Sequence, residues 1–326
     1  MGTDDMTGTG ETPEAEGQVS DAVKGNWVDE LAPEWSRPYL RLSRADRPIG
    51  TWLLLMPCWW GVLLAAASTA WRWFDLWIII GCSLGAWLMR GTGCTWNDIT
   101  DRDIDGKVAR TQSRPIPSGQ VTTKQAAIWM GIQAAVAFAI LLTFNWPTIL
   151  LGIASLALVA IYPFAKRFTY WPQIFLGLAF NWGALLAWTA HTGSLALPAV
   201  FLYLAGIAWT VFYDTIYAHQ DKEDDALIGV KSTALLFGDD THNILRLFMM
   251  GSVILMTSGV VMAMIGTNTV LEMIVALVGV WAFGWHMTWQ LSRLDAGNPD
   301  TCLKLFRANR DTGLIPALFL AIAILV

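Results

Sequence analysis

Long apolar runs recur along the chain, and each is bounded by a short polar stretch. Runs of about twenty residues match the length that a helix needs to cross roughly 30 Å of hydrocarbon. The pattern therefore predicts an all-α integral membrane protein with nine transmembrane helices in one bundle. The predicted spans are roughly 49–68, 75–96, 125–144, 147–165, 173–191, 198–217, 243–265, 270–292 and 313–326.

The chain before the first span divides into two parts. Residues 1–26 are acidic, rich in Gly and Thr and poor in apolar residues, and they lack the features of a signal or transit peptide. From Trp27 to Arg47 the chain mixes Trp, Leu, Tyr and Arg, which is typical of a helix lying in the membrane interface. We expect residues 1–36 to be a disordered tail plus the start of the interfacial segment, and residues 37–326 to form a single polytopic domain.

Composition supports a membrane protein. Hydrophobic residues make up 55% of the chain and charged residues 14%, whereas soluble domains carry about 25% charged residues. The net charge of −5 gives no electrostatic support for a nucleic-acid partner. The four cysteines and four histidines show no metal-ligand spacing, so we interpret them as buried or structural residues.

Basic residues fall in alternate loops, which predicts the orientation of the bundle. They precede the first predicted span and follow the second, fourth, sixth and eighth, whereas only Arg72 lies in the opposite set of loops. By the positive-inside rule, the N-terminus faces the cytoplasm and the C-terminus the other side. We expect a multi-pass protein of a bacterial inner (cytoplasmic) membrane with a periplasmic C-terminus.

Oxygen-bearing side chains recur at intervals of four residues after the end of the second predicted span. If that helix continues, Asn97, Asp101 and Asp105 occupy positions i, i+4 and i+8 on one face. Oxygen side chains arranged in this way suit a hard cation that keeps several waters and shares phosphate oxygens. The alternative interpretation is an ordinary solvated charge run.

A second set of acidic residues follows the sixth span. Asp214, Asp221 and Asp225 are separated by seven and four residues, again on one helix face. Two acidic stripes repel each other unless cations lie between them. Because both stripes are predicted on the same side of the membrane, together they favour a site for metal and diphosphate over two solvated surfaces.

Two further positions suggest substrate binding. Tyr162 and Lys166 are four residues apart at the end of the fourth span and could bind a diphosphate; alternatively, Lys166 only follows the positive-inside rule. Arg90 lies seven positions before Asn97, inside a span, where a charge is costly and usually faces a cavity. Its guanidinium could bind a substrate carboxylate through two parallel hydrogen bonds, or it could pair structurally with an acid.

Two other membrane classes compete. A transporter would carry acidic residues deep in several spans, but here they cluster at span ends. Asp105-Gly106, Ala109-Arg110 and Gly119 match the middle of the CDP-alcohol phosphotransferase signature. Three required carboxylates are replaced there by Arg102, Thr123 and Ala127, which cannot bind metal in that way.

The motifs resemble those of the UbiA-type aromatic prenyltransferases. The first is Asn97-Asp98-x-x-Asp101-x-x-x-Asp105, continuing through Arg110, Arg114, Pro115 and Gly119. The second runs from Tyr213-Asp214-Thr215 through Asp221 and Asp225 to Gly238. The similarity covers about residues 38–326. Within the family it is greatest to members that prenylate 4-hydroxybenzoate in ubiquinone synthesis, which share Arg47-Pro48-Ile49-Gly50.

The resemblance implies a central cavity and a Mg²⁺-dependent transfer from polyprenyl diphosphate to 4-hydroxybenzoate, in contact with membrane lipid. It implies two Mg²⁺ ions bridging the diphosphate, and it makes the carboxylates of both stripes catalytic. Asn97, Asp101 and Asp105 would hold one ion, and Asp214, Asp221 and Asp225 the other. Arg110, Arg114, Tyr162 and Lys166 would contact the diphosphate, and Arg90 would bind the benzoate carboxylate.

Overall fold

The computed structural model describes residues 25–106 and 111–326, apart from the side chains of residues 104, 224, 225 and 228. Within these ranges the chain is helical and contains no strand. Nine helices of the described chain are long and apolar enough to cross a membrane, which confirms the predicted class. Their helical bounds are α1 Ile49–Ser68, α2 Trp73–Asp105, α3 Thr123–Leu141, α4 Trp146–Ile161, α5 Pro172–Thr192, α6 Leu197–Ala218, α7 Thr241–Met264, α8 Val270–Ser292 and α9 Pro299–Leu325.

Polar caps explain where several of these helices begin. Thr122 opens α3 with a capping box that includes Gln125, and Thr269 opens α8 in the same way with Glu272. Asn145 accepts a hydrogen bond from the Thr148 amide at the start of α4. Each cap satisfies amides that would otherwise lack partners near the membrane surface.

The second helix is longer than the hydrocarbon core. It contains 33 residues, which span about 50 Å at 1.5 Å per residue. Because the hydrocarbon is about 30 Å thick, the final turns of α2 extend beyond it. The helix continues beyond the predicted end of the span near residue 96 to Asp105, so the condition for placing Asn97, Asp101 and Asp105 on one helix is met.

Two predicted elements differ in extent from the structure. The interfacial segment is not one helix, because Pro33 and Pro38 separate it into Trp27–Glu30, the 3₁₀ turn Glu34–Ser36 and Arg37–Leu42. The last helix begins at Pro299, whereas the sequence predicted a start at residue 313. The prediction was too short because the first turns carry Lys304 and Arg307 and are therefore not an apolar run. The charges mark the part of α9 that lies at the membrane surface.

Helix α1 occupies the centre of the bundle and packs against α2, α5 and α9. A Cβ built at Gly61 would lie 2.5 Å from the carbonyl oxygen of Ala184 on α5, so only glycine permits this approach. Trp60 Nε1 donates a 2.8 Å hydrogen bond to the carbonyl of Gly313 on α9. These contacts fix the helices whose ends carry the functional side chains.

Short helical segments connect the long helices on the side where the basic loops lie. These segments are Tyr162–Phe164 and Ala165–Phe168 after α4, and His219–Asp221, Lys222–Ile228, Thr233–Phe237 and Gly238–Asp240 between α6 and α7. Lys231 N donates to the carbonyl of Lys166 at 3.1 Å, which joins the two connections. The segments that carry the predicted site residues therefore lie beside one another.

Candidate active site

A cavity of about 730 Å³ opens among α1 to α6, and the first half of α9 completes its wall. Residues far apart in the sequence share its wall, as the two motifs predict. Its polar lining includes Arg90, Asn97, Tyr162 and Asp214. The remainder of the wall is mainly apolar and includes Met89, Phe138, Leu156, Phe180 and Leu186.

The charges in this wall are strongly unbalanced. Among the described lining residues, Asp214 is the single carboxylate. Such an excess of guanidinium groups favours an anionic ligand, since charge-assisted hydrogen bonds to phosphate or carboxylate oxygens are strong. The lining arginines are Arg44, Arg47, Arg90, Arg114, Arg307 and Arg310.

Two basic side chains, Lys166 and Arg167, pair with Asp101 of the first acidic stripe. The Asp101 side chain is fully buried. Lys166 Nζ lies 2.5 Å from Asp101 Oδ2, and Arg167 Nη2 lies 3.2 Å from Asp101 Oδ1. Lys166 therefore does more than follow the charge rule, because its ammonium group pairs with the stripe. Lys166 was predicted to bind diphosphate and Asp101 to bind Mg²⁺. In this structure the two side chains form an ion pair with each other.

Sequence patterns did not reveal the role of Asp98. Its buried Oδ1 accepts hydrogen bonds from Arg44 Nη2 at 2.6 Å and from Arg114 Nη1 at 3.3 Å. The same Arg114 nitrogen donates to Asp105 Oδ2 at 2.7 Å. Neither Asp98 nor Arg44 belongs to the i, i+4, i+8 pattern of the first acidic stripe, so helical spacing alone does not identify either residue.

The second stripe is only partly described. Asp214 on α6 faces the cavity, and Asp221 ends the 3₁₀ turn that follows. The side chain of Asp225, and the whole of Arg110, lie outside the described residues. Among the side chains that are described, no three His, Cys, Asp or Glu residues form a group that could enclose a metal ion.

The oxygen-rich donor set nevertheless fits Mg²⁺. This ion prefers one or two carboxylates together with waters and substrate phosphates over a cage built only from protein. Asn97 and Asp214 line the same cavity, and Asp98 Oδ2 is a buried oxygen without a hydrogen-bond partner in the described chain. Two oxygen donors thus line a cavity whose arginines can bind phosphates, and the buried Asp98 follows Asn97 on the same helix.

Arg90 lies deeper in the cavity. Its guanidinium carbon is 5.3 Å from the centre of the Phe180 ring. A Cβ at Gly50 would lie 2.6 Å from the same group, so glycine leaves room for it. Nε of Arg90 is buried without a hydrogen-bond partner, and no ion pair to Arg90 occurs among the described residues. Asp214 interacts with Arg90 electrostatically, and no ion pair within the described chain prevents the guanidinium from binding an anion.

Charged residues before α1 are buried beside the cavity. Burial lowers the pKa of Arg47 to about 10, which still leaves it cationic at neutral pH. Burial also raises the pKa of Asp46 to about 6, although Arg44 opposes the change. Asp46 Oδ1 lies 3.5 Å from Arg47 Nε but accepts no hydrogen bond within the described chain.

Fold and site together define an integral membrane protein with an arginine-rich cavity. The model of the UbiA prenyltransferase family matches residues 54–321. The chain belongs to this family.

Similar proteins carry a specific activity in their names. A mitochondrial 4-hydroxybenzoate polyprenyltransferase of Aedes aegypti is 48% identical over 295 residues, covering 88% of this chain and 63% of the mosquito protein. The Bos taurus protein of the same name is 47% identical over 301 residues, covering 91% of this chain and 77% of the bovine protein. This chain thus spans a little under two thirds of the length of the mosquito relative.

Solved structures share the fold. A UbiA homolog from Archaeoglobus fulgidus bound to GPP and Mg²⁺ aligns with a TM-score of 0.62 at 21% identity, covering 89% of this chain and all (100%) of that one. The apo structure of a UbiA homolog from Aeropyrum pernix K1 aligns with a TM-score of 0.63 at 22% identity, covering 84% and 96%. At these identities the likeness establishes the architecture.

The prediction of a bacterial inner membrane is wrong. The mosquito, bovine and human relatives, which are 46–48% identical to this chain, are all named as mitochondrial proteins. The error has a physical cause. The distribution of Lys and Arg distinguishes the two sides of a membrane, but it carries no information about which membrane the bundle occupies.

Proposed function

We propose that this chain transfers a polyprenyl group from polyprenyl diphosphate to 4-hydroxybenzoate, releasing diphosphate, as a step of ubiquinone synthesis. The bond forms at the ring carbon ortho to the hydroxyl group. The observation that carries the proposal is a cavity whose wall combines six arginines with a mainly apolar lining. The names of relatives at 46–48% identity supply the substrates, and the membrane is proposed to be mitochondrial on the same basis.

The diphosphate binds at the polar end. Arg114 and Tyr162 line the cavity there, and Lys166 reaches the same region through Asp101. Arg110 belongs to this set by its place in the motif. These groups neutralise the charge that develops as the carbon–oxygen bond of the donor breaks, which stabilises the transition state.

Mg²⁺ is the proposed cofactor, with two ions bridging the diphosphate. Asn97, Asp101 and Asp105 on one side and Asp214, Asp221 and Asp225 on the other are the residues proposed to hold them. Bound Mg²⁺ would supply charge neutralisation for the leaving diphosphate. The oxygen donors named above support this choice of ion.

Arg90 binds the carboxylate of the acceptor. It lies two turns below Asn97 on α2, about 10 Å along the helix axis, and therefore away from the diphosphate. Its buried Nε has no protein partner in the described chain, and Phe180 provides an aromatic surface beside it. A benzoate held there places its ring between the arginine and the donor.

The apolar wall protects the reaction from water. Breaking the donor bond leaves an allylic cation, which water would capture. Met89, Phe138 and Leu186 exclude water from this part of the cavity. The electron-rich ring carbon then attacks, and loss of its proton restores aromaticity.

A transfer assay with a panel of acceptors tests the proposal. Purified protein in lipid nanodiscs is supplied with Mg²⁺, geranyl diphosphate and either 4-hydroxybenzoate, 4-hydroxybenzyl alcohol or homogentisate. We expect prenylated 4-hydroxybenzoate, and little product from the alcohol because it lacks the carboxylate that Arg90 binds. Equal product from the alcohol and the acid would contradict the acceptor assignment.

A further inference from the structure

We propose that Asp98, which is not one of the proposed metal ligands or diphosphate contacts, is a positioning residue that holds Arg114 toward the diphosphate while Asp105 binds metal. The inference rests on the proposed function, because it concerns how that site receives its anionic substrate. It assigns a role to the one buried carboxylate of the first motif that lies outside the predicted metal ligands.

The first step is the arrangement of two arginines around one acid. Arg44 precedes α1 and Arg114 follows α2, yet both donate to Asp98 Oδ1, at 2.6 and 3.3 Å. The Asp98 side chain is 0% exposed. Both guanidinium groups share this one carboxylate, and both arginines line the cavity. Asp98 thus gathers cationic groups where an anion must bind.

The second step is that Arg114 is shared between two acids. Its Nη1 lies 2.7 Å from Asp105 Oδ2 and 3.3 Å from Asp98 Oδ1, and its Nε is buried without a hydrogen-bond partner in the described chain. A metal ion held by Asp105 would compete with Arg114 for that carboxylate and weaken their contact. Asp98 is then the protein carboxylate that remains to orient this guanidinium, whose free N–H groups can donate to phosphate oxygens.

The third step is the backbone of Arg44. Its φ angle is +58°, and it is the only non-glycine residue of the described chain with positive φ. Side chains with a Cβ disfavour this left-handed conformation. Arg44 in this conformation donates from Nη2 to Asp98 at 2.6 Å and from Nη1 to the carbonyl of Arg41 at 3.2 Å. A strained backbone that persists beside a cavity is typical of a functional site.

The Asp98→Asn substitution separates two effects on the affinity for pyrophosphate, because loss of a negative charge and loss of the positioning contact change that affinity in opposite directions. Removing a negative charge near an anion site should strengthen anion binding by Coulomb's law. Loss of an orienting contact should weaken it, because Arg114 no longer points toward the phosphates when Asp105 binds metal. We expect the affinity for Mg²⁺–pyrophosphate to fall by roughly tenfold or more.

The experiment is a double-mutant cycle measured by calorimetry, without turnover. Wild type, Asp98→Asn, Arg114→Gln and the double variant are titrated in nanodiscs with pyrophosphate at saturating Mg²⁺. We expect Asp98→Asn to weaken binding in the wild-type background and to have little further effect once Arg114 is absent. An equal loss in both backgrounds, or tighter binding by Asp98→Asn, would overturn the proposal.

Two controls keep the result interpretable. Asp103→Asn removes a carboxylate from the same helix, but the Asp103 side chain is 85% exposed and pairs with Arg102, so pyrophosphate binding should not change. If Asp98→Asn fails to fold, Asp98→Glu takes its place because it keeps the negative charge. The longer side chain should displace Arg114 and weaken pyrophosphate binding. Unchanged binding would contradict the positioning role of Asp98. Since binding is measured directly, this test stays separate from failure of the transfer assay.

Discussion

The guanidinium of Arg90 lies against the backbone of Gly50, where an added Cβ would come within 2.6 Å of its Cζ, Nε and Nη2. Gly50 opens α1 and Arg90 lies within α2, so the contact joins the two helices at the cavity wall. Because the obstructing atoms belong to the end of a flexible side chain, a methyl group at position 50 would displace Arg90 without separating the helices.

Gly50→Ala should therefore mimic loss of Arg90. We expect a higher KM for 4-hydroxybenzoate and an unchanged KM for the prenyl diphosphate, measured by initial rates at saturating co-substrate. Gly131→Ala is the matched control, since a Cβ there meets nothing within 4 Å. An equal effect of both substitutions would indicate a general response to alanine and would contradict the displacement of Arg90.

Substitutions of Arg90 should show whether acceptor binding requires the two parallel N–H donors of a guanidinium or only a positive charge. Arg90→Ala is expected to cost about 1.5–3 kcal/mol of acceptor binding, through loss of a charge-assisted contact. Arg90→Lys should be almost as damaging, because an ammonium group cannot form two parallel hydrogen bonds. A defect confined to the KM of the prenyl diphosphate would instead assign Arg90 to the donor site.

Asp101 should be required for turnover. Its substitution by Asn leaves Lys166 and Arg167 without their carboxylate partner and removes a proposed metal ligand. We expect transfer activity below about a tenth of wild type, with normal membrane insertion. Asp103→Asn serves again as the exposed control. Activity of Asp101→Asn above that level would remove this residue from the proposed metal site.

Asp46 should make stability depend on pH. Burial raises its pKa in the folded protein to about 6 from an ordinary value of 3.8, so the folded state binds more protons than the unfolded state in this interval. Stability contributed by the protonated acid is present below pH 3.8 and is lost as pH rises toward 6. Thermal unfolding in detergent should show a falling midpoint over this range, and Asp46→Asn should flatten that fall. An unchanged slope in the variant would assign the dependence to another group.

The apolar runs predicted the architecture well, because a membrane imposes a length and composition on each span. Seven spans lie close to their predicted positions, whereas α2 extends past residue 96 to Asp105 and the charged first half of α9 reads as a loop. The acidic stripes located the polar end of the cavity, since helical spacing is visible in sequence. The contacts of Asp98 with Arg44 and Arg114 were not visible, because they join segments 54 and 16 residues apart.

Glycine at position 50 illustrates the same limit. Its neighbour in space, Arg90, lies 40 positions along the chain, and no periodic pattern relates the two. The sequence identifies Arg90 as a costly intramembrane charge, but only the folded structure shows that Gly50 and Phe180 enclose it. Surfaces built from two helices depend on packing, which the order of residues along one helix does not specify.

The most direct test of the whole account is metal-dependent transfer by the isolated protein. Purified chain in nanodiscs is incubated with geranyl diphosphate and 4-hydroxybenzoate, and the product is identified by mass spectrometry and NMR. We expect 4-hydroxybenzoate prenylated ortho to its hydroxyl group, no product after EDTA, and recovery on addition of Mg²⁺. Transfer that is insensitive to chelation, or no transfer with Mg²⁺ and both substrates present, would contradict this expectation.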